Sequence, residues 1–369
     1  MPAPTPRPGI MDIIAYKPGS ARSTASRIYK LSSNESALGP SPKAIEAFKA
    51  AANDLHIYPD AGASALREAV AAEFSINPDL VVAGAGSDEI LILLMRGYLG
   101  PGDSMVMSRH GFAIYAIATT GCGAEVIRAD EQNLTTHVDN LLAAVKPNTK
   151  MMMLANPNNP TGTLLSGAEL RRLRAELRDD ILLVLDAAYA EYVEADDYED
   201  GIGMVSAAIQ SGANNVFTTR TFSKLYGLGG LRVGWGYGPE PVIAVLNRLR
   251  GPFNVSAPAQ AAGASALADK EFVARHLAHN KAERARLFEA LQELGFHPIP
   301  SHTNFLLVGM KGDEPQSRAA MAEALNAHLT QQGTIVRPVK EYFLPDYLRM
   351  SVGSVEANSA LIEALRCFT

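Results

Sequence analysis

The sequence predicts an α/β protein built on a mostly parallel sheet with helices on both faces, and three observations carry this. The runs MMML (151–154) and ILLVL (181–185) are apolar at every position, as strands buried on both faces must be. Between them lie a polar loop and an amphipathic stretch, so strand, helix and strand follow within about 35 residues, the length of a parallel crossover unit. Polar constellations also follow one apolar run after another, at the strand ends where an α/β sheet binds its ligands.

The elements can be read in order. VVAG (81–84) and MVM (105–107) predict two strands, and MMML, ILLVL and VFTT (216–219) three more. After MMML comes the loop NPNNPTG (156–162). Ser166 and Glu169 then form a capping-box pair, and Leu170, Leu173 and Leu177 give the apolar stripe of a helix. From about residue 260 the pattern changes: KAERARLFEALQELG (281–295) predicts a helix ending at a glycine, and NFLLV (304–308) and LRMSV (348–352) predict strands. The expected organisation is an N-terminal arm over 1–27, a segment over 28–45 that joins the smaller domain, a large domain over 46–259 and a smaller α/β domain over 260–369.

Composition excludes several classes of function. The 369 residues are 47% hydrophobic and 20% charged, with a formal net charge of −6, so bulk electrostatics give no reason to expect nucleic acid. None of the 8 histidines pairs as HExxH, and no metal site is expected. Cys122 and Cys367 have no metal-ligand spacing and fit a reducing compartment as small core residues. No apolar run reaches the roughly 18 residues of a spanning helix. The opening MPAPTPRPGI lacks a secretory apolar stretch and reads as an extended, weakly ordered arm. A cytoplasmic protein without membrane partners is expected.

The loops carry the chemistry. Asp186 ends the run ILLVL and is poorly solvated there, so it needs a cationic partner or a structural role such as a buried salt bridge. Tyr189 stands three residues on, near enough to donate a hydrogen bond at the same place. In NPNNPTG, prolines and a glycine restrict the backbone while Asn159 projects an amide. GAGSDE (84–89) leads into ILILLMRGYL, which puts Ser87 and Asp88 at a helix N-terminus that favours a phosphate. It is not a dinucleotide fingerprint, because Glu89 stands where the last glycine would be, and no Walker pattern occurs. In TFSKLYGLGGLRVGW (221–235), Lys224 sits among hydroxyls and glycines, with Arg232 following. It is either an ordinary surface lysine or an amine held against an electrophile, with Thr221, Ser223 and Arg232 around one phosphate.

Taken together, NESALGPSP (34–42), YPD (58–60), GAGSDE, NPNNPTG, DAAY (186–189), TFSKLYGLGGLR and LRMSVG (348–353) resemble the fold type I aminotransferases that depend on pyridoxal 5'-phosphate. Within them the chain resembles the histidinol-phosphate aminotransferases, from about residue 10 to the C-terminus. The resemblance implies that Lys224 forms the Schiff base with the coenzyme and then moves the proton at the substrate. It implies that Asp186 pairs with the pyridinium nitrogen, that Asn159 and Tyr189 bond the phenolic oxygen, and that Phe112 stacks on the ring. Ser87, Asp88, Thr221, Ser223 and Arg232 would surround the phosphate, joined by Tyr58 from the other subunit of a homodimer. Arg349 would bind the anion of the substrate, with Asn159 beside it. Arg337, in IVRPV on the preceding strand-like segment, either converges on the same anion or is an exposed strand residue, and Tyr16 on the arm would add a hydroxyl donor from the other subunit. The chain has His110 and Gly111 where many members carry a proline–threonine pair, and NESAL in place of NENPL.

The expected reaction moves an amino group between histidinol phosphate and 2-oxoglutarate, in histidine biosynthesis. An aromatic amino acid as donor is the alternative, followed by a phosphothreonine decarboxylase. A coenzyme-sensing regulator is disfavoured, because the pattern starts almost at once and leaves no room for a DNA-binding domain.

Overall fold

The computed structural model describes residues 4–14 and 25–368. At its centre a seven-stranded sheet runs in the spatial order Val81–Gly84, Gly234–Tyr237, Val216–Thr221, Leu182–Asp186, Thr149–Ala155, Ser104–Ser108 and Glu125–Ala129. Gly234–Tyr237 is antiparallel to both neighbours, and the other ladders are parallel. The mostly parallel sheet expected from the apolar runs is therefore present.

Those runs are apolar at every position because both faces are covered. Met151, Met153, Leu182 and Val184 enter one core, while Met152, Leu154, Leu183 and Leu185 enter the other, as side chains that alternate along a strand must. The helix Gly167–Glu176 packs on this sheet as its stripe predicts. Ser166 Oγ accepts from Glu169 N at 3.3 Å, and Leu170 and Leu173 are buried.

Two strands of this sheet were not foreseen from the sequence. Glu125–Ala129 is a partly exposed edge strand with little apolar signal. Gly234–Tyr237 has two glycines where strands usually carry side chains, and the reason is steric: a Cβ on Gly236 would lie 2.6 Å from the Phe217 ring.

A second, antiparallel sheet contains Arg337–Val339, Leu344–Ser351, Phe305–Gly309 and His297–Pro298. It packs with Leu287, Leu291, Leu361 and Leu365 in a core of its own. The helix expected at 281–295 begins earlier, spans Lys270–Glu293, and is followed by Gly295 at φ 78°. Leu31 is buried in this second core, and Tyr29–Lys30 pairs in parallel with Thr334–Ile335. Residues 32–34 then run back toward the ends of the large sheet. The expected boundaries 45/46 and 259/260 fall inside the helices Pro42–Ala51 and Ala257–Leu267, which pack against each other.

In the arm, Ile10–Asp12 form one 3-10 turn, and Tyr16 lies outside the described residues. Cys122 is half-buried but Cys367 is exposed, so the expectation that both are core residues fails for Cys367, which follows the last helix. No helix among the described residues is long and apolar enough to cross a membrane.

Candidate active site at the strand ends

A cavity of about 200 Å³ lies where the parallel strands end. Successive strand-end loops build it. Ser87 and Asp88 open the helix Ser87–Tyr98, Phe112 precedes the helix Ala113–Cys122, and Asn159 comes from the loop after Thr149–Ala155. Asp186 ends its own strand, with Tyr189 just beyond, and Thr221, Ser223 and Lys224 continue from Val216–Thr221. Arg232 closes one end, while Arg337 and Arg349 enter from the second sheet.

Lys224 Nζ donates to the carbonyl of Ser33 at 3.2 Å and stands 5.9 Å from the centre of the Tyr189 ring. Burial, and then the charge of Arg349, bring its pKa down to about 8. An amine so placed is neutral in part of its population near neutral pH, which a nucleophile or proton acceptor requires. The surface-lysine reading of this residue is thereby removed.

Asp186 is 6% exposed. Tyr115 Oη donates to its Oδ2 at 2.7 Å and Thr219 Oγ1 to its Oδ1 at 3.3 Å. Burial nevertheless pushes its pKa up to about 6, so two neutral donors do not offset its desolvation. The carboxylate faces the cavity, where a cation would complete it. Tyr189 lies beside it, accepting a hydrogen bond from Asn34 Nδ2 at 2.9 Å, and burial pushes its pKa up to about 12. Phe112 meets the Tyr115 ring edge-on at 5.8 Å.

The other end of the cavity is rich in donors. Arg232 Nη1 donates to Ser223 Oγ at 3.3 Å, Thr221 Oγ1 donates to Ser223 Oγ at 3.0 Å, and Arg232 Nη2 lies 3.4 Å from Asp88 Oδ2. Gly86, with φ 83°, precedes Ser87, and a Cβ there would overlap the Arg232 guanidinium. That glycine leaves the helix N-terminus and the guanidinium together, an arrangement suited to a phosphate.

On the side of the second sheet, Arg349 Nη1 donates to Asn159 Oδ1 at 2.6 Å and Nη2 to the Ser32 carbonyl at 2.8 Å. Its Nε is buried without a hydrogen-bond partner among the described residues. Arg337 stands opposite Arg349 in register and also lines the cavity. Two guanidinium groups lining one cavity suit an anionic group.

Tyr58 is not brought to this cavity. It is 79% exposed and stacks on Phe253 at 4.6 Å. His110 does not line the cavity either; its Nδ1 donates to the Tyr342 carbonyl at 2.5 Å, behind the wall that Tyr342 forms. Sequence reading missed Tyr115, Asn34, Ser33 and Tyr342. Tyr115 carried a usable signal, as a hydroxyl one turn after Phe112 in the apolar run AIYAIA.

The model of the family "Aminotransferase class I and II" matches residues 26–365. The chain belongs to the class I and II aminotransferases. It is thus an enzyme of amino-group transfer, in a family that uses pyridoxal 5'-phosphate. Among class I and II aminotransferases of known sequence, it is 52% identical over 369 residues to the histidinol-phosphate aminotransferase of Paramagnetospirillum magneticum, covering 100% of this chain and 99% of that one. It is 47% identical over 370 residues to the enzyme of the same name from Rhodopseudomonas palustris, with coverage of 100% and 99%. The structure of histidinol-phosphate aminotransferase from Sinorhizobium meliloti in complex with pyridoxal-5'-phosphate superimposes with a TM-score of 0.87 at 26% identity, covering 98% of each chain.

Proposed function

We propose that this cavity holds pyridoxal 5'-phosphate and catalyses amino transfer between histidinol phosphate and 2-oxoglutarate, giving imidazole-acetol phosphate and glutamate. The residues present fit the coenzyme. Asp186 is a buried carboxylate at the cavity wall whose side-chain donors, Tyr115 and Thr219, are both neutral, and a protonated pyridine nitrogen is a cation that suits it. The cradle of Gly86, Ser87, Ser223 and Arg232 at the far end matches a phosphate.

In this reading Lys224 holds the coenzyme covalently through Nζ, with Asn159 and Tyr189 at the phenolic oxygen and Phe112 over the ring. Ser87, Asp88, Thr221, Ser223 and Arg232 hold the phosphate. When bound, the coenzyme supplies a sink for the electron pair released at the substrate Cα. Lys224, whose free amine is brought to a pKa of about 8, would take and return the proton there once the donor's amine has displaced Nζ from the coenzyme. Asp186 would stabilise a proton on the ring nitrogen. Phe112 and Tyr342 wall the site from water. Tyr58, exposed on its own chain, reaches the phosphate of a second copy in a homodimer.

The choice of donor rests on one observation: Arg337 and Arg349 are cross-strand partners that both line the cavity. A carboxylate needs one such fork, whereas the phosphate of histidinol phosphate carries up to two charges. Tyr16 on the arm would add a hydroxyl donor. The relatives named histidinol-phosphate aminotransferase support the same donor. Arg337→Gln tests the reading. It should lower kcat/KM for histidinol phosphate roughly 10- to 150-fold, the value of one charge-assisted contact, and lower that for phenylalanine far less. An equal fall for both donors would assign Arg337 a general role.

A further inference from the structure

Arg337 and Arg349 sit directly opposite each other in an antiparallel ladder, 8% and 7% exposed. Like charges so placed repel, and burial removes the water that would screen them. The two guanidinium groups are compensated differently. The oxygens that Arg349 meets, on Asn159 and Ser32, are uncharged. Arg337 instead meets a carboxylate: its Nη2 donates to Glu341 Oε1 at 2.5 Å.

Glu341 is held where it is. It lies in the 3-10 turn Lys340–Tyr342, which follows the irregularity between Pro338 and Val339. His110 of the large sheet's loops holds the Tyr342 carbonyl at 2.5 Å. Phe343 leaves the turn at φ 63°, a strained conformation for a large side chain. Its half-exposed ring is flanked by the guanidinium carbons of Arg109 and Arg128, at 5.6 and 5.4 Å from its centre. The turn is therefore latched to the wall of the large sheet rather than free to swing with its side chains.

We infer that Glu341 is a positioning residue that sets donor specificity through Arg337: its carboxylate is a built-in counter-ion to the arginine pair and weakens that pair's hold on doubly charged anions. This rests on the reading of Arg337 and Arg349 as the substrate's anion subsite. Two guanidinium charges and one carboxylate leave one net positive charge. In the proposed reaction the same subsite must take the donor's phosphate, release it with the product, and then admit a carboxylate of the acceptor. A net charge of two would favour the phosphate and slow its departure.

The test is titration of inorganic phosphate into the coenzyme-loaded enzyme at a pH where phosphate is the dianion, with binding read by calorimetry. Loading fills the coenzyme's own phosphate cradle. Glu341→Gln is expected to bind phosphate about 5-fold more tightly than the parent, the upper range for one partly exposed ion pair. Glu341→Asp withdraws the charge by one methylene and is expected to fall between the two; it carries the test if the glutamine variant does not fold. Arg337→Gln is expected to bind phosphate more weakly than the parent. Phosphate affinity unchanged or weakened in the Glu341 variants, with Arg337→Gln still weaker than the parent, overturns the role of Glu341 and leaves the anion subsite standing. Equal affinity in every variant overturns both.

Discussion

Tyr115 donates its hydroxyl proton to Asp186 at 2.7 Å, joining the first turn of the helix Ala113–Cys122 to the end of the strand Leu182–Asp186. That bond favours the ionised carboxylate, against the burial that pushes its pKa up to about 6. In Tyr115→Phe the carboxylate loses a contact worth roughly 1.5–3 kcal/mol. Its pKa should rise further, and coenzyme affinity should fall about 10-fold or more. Coenzyme titration by absorbance, run across pH, checks both; an unchanged affinity would make Tyr115 a packing residue.

Asp186 itself links function to stability. Its folded pKa, about 6, lies above the ordinary value of 3.8, so the coenzyme-free fold binds a proton that the unfolded chain has released. The contribution of Asp186 to stability is thus fully present below about pH 4 and is lost as pH rises through 6. Above pH 6, coenzyme-free Asp186→Asn should be more stable than the parent by about 3 kcal/mol, the value of a shift of this size, with no advantage near pH 4. The same variant should turn over about 10²–10³-fold more slowly when loaded, because a preorganised electrostatic partner is gone. Thermal melts at the two pH values and a turnover assay check the pair. Full activity in the variant would make the carboxylate a structural acid.

Lys224→Ala should lose the visible absorbance of covalently held coenzyme and all turnover. Borohydride treatment of the parent followed by peptide mapping should find the label on Lys224. A label on any other lysine would contradict its assignment.

Tyr58 and Phe253 form an exposed aromatic stack, and Tyr58 is proposed to act in a partner's site. Tyr58→Phe and Lys224→Ala, each inactive or impaired alone, should regain partial activity when the two proteins are mixed, dissociated and reassembled. One hybrid site then carries both native residues. A fully active monomer at high dilution would refute the shared site.

Much of this site was legible in the sequence because its residues follow strands that announce themselves. Lys224, Asp186 and Asn159 come just after apolar runs, and a parallel sheet carries every such loop to one edge. Arg349 and Arg337 were legible as residues of strand-like segments, though not that they stand in register. Tyr115, Asn34 and Ser33 were less so. Their contacts depend on how a helix rotates and on where residues 32–34 pass between the two cores, which local patterns do not encode. Glu341 was hidden for a related reason: its pairing with Arg337 needs a tight turn, and that turn is stabilised by His110, Arg109 and Arg128 from far along the chain. The antiparallel strand Gly234–Tyr237 escaped because Gly236 makes room for the Phe217 ring and Gly234 for the backbone of Gly86 and Ser87, which erases the strand's apolar signature.

The identity of the donor is decided most directly by one assay: kcat/KM for histidinol phosphate and for phenylalanine, each with 2-oxoglutarate as acceptor, on the coenzyme-loaded parent enzyme. The paired arginines predict that histidinol phosphate is the better substrate, and that added inorganic phosphate competes with it. If phenylalanine is the better donor, or histidinol phosphate is not turned over, the arginine pair does not read a phosphate and the aromatic alternative takes its place.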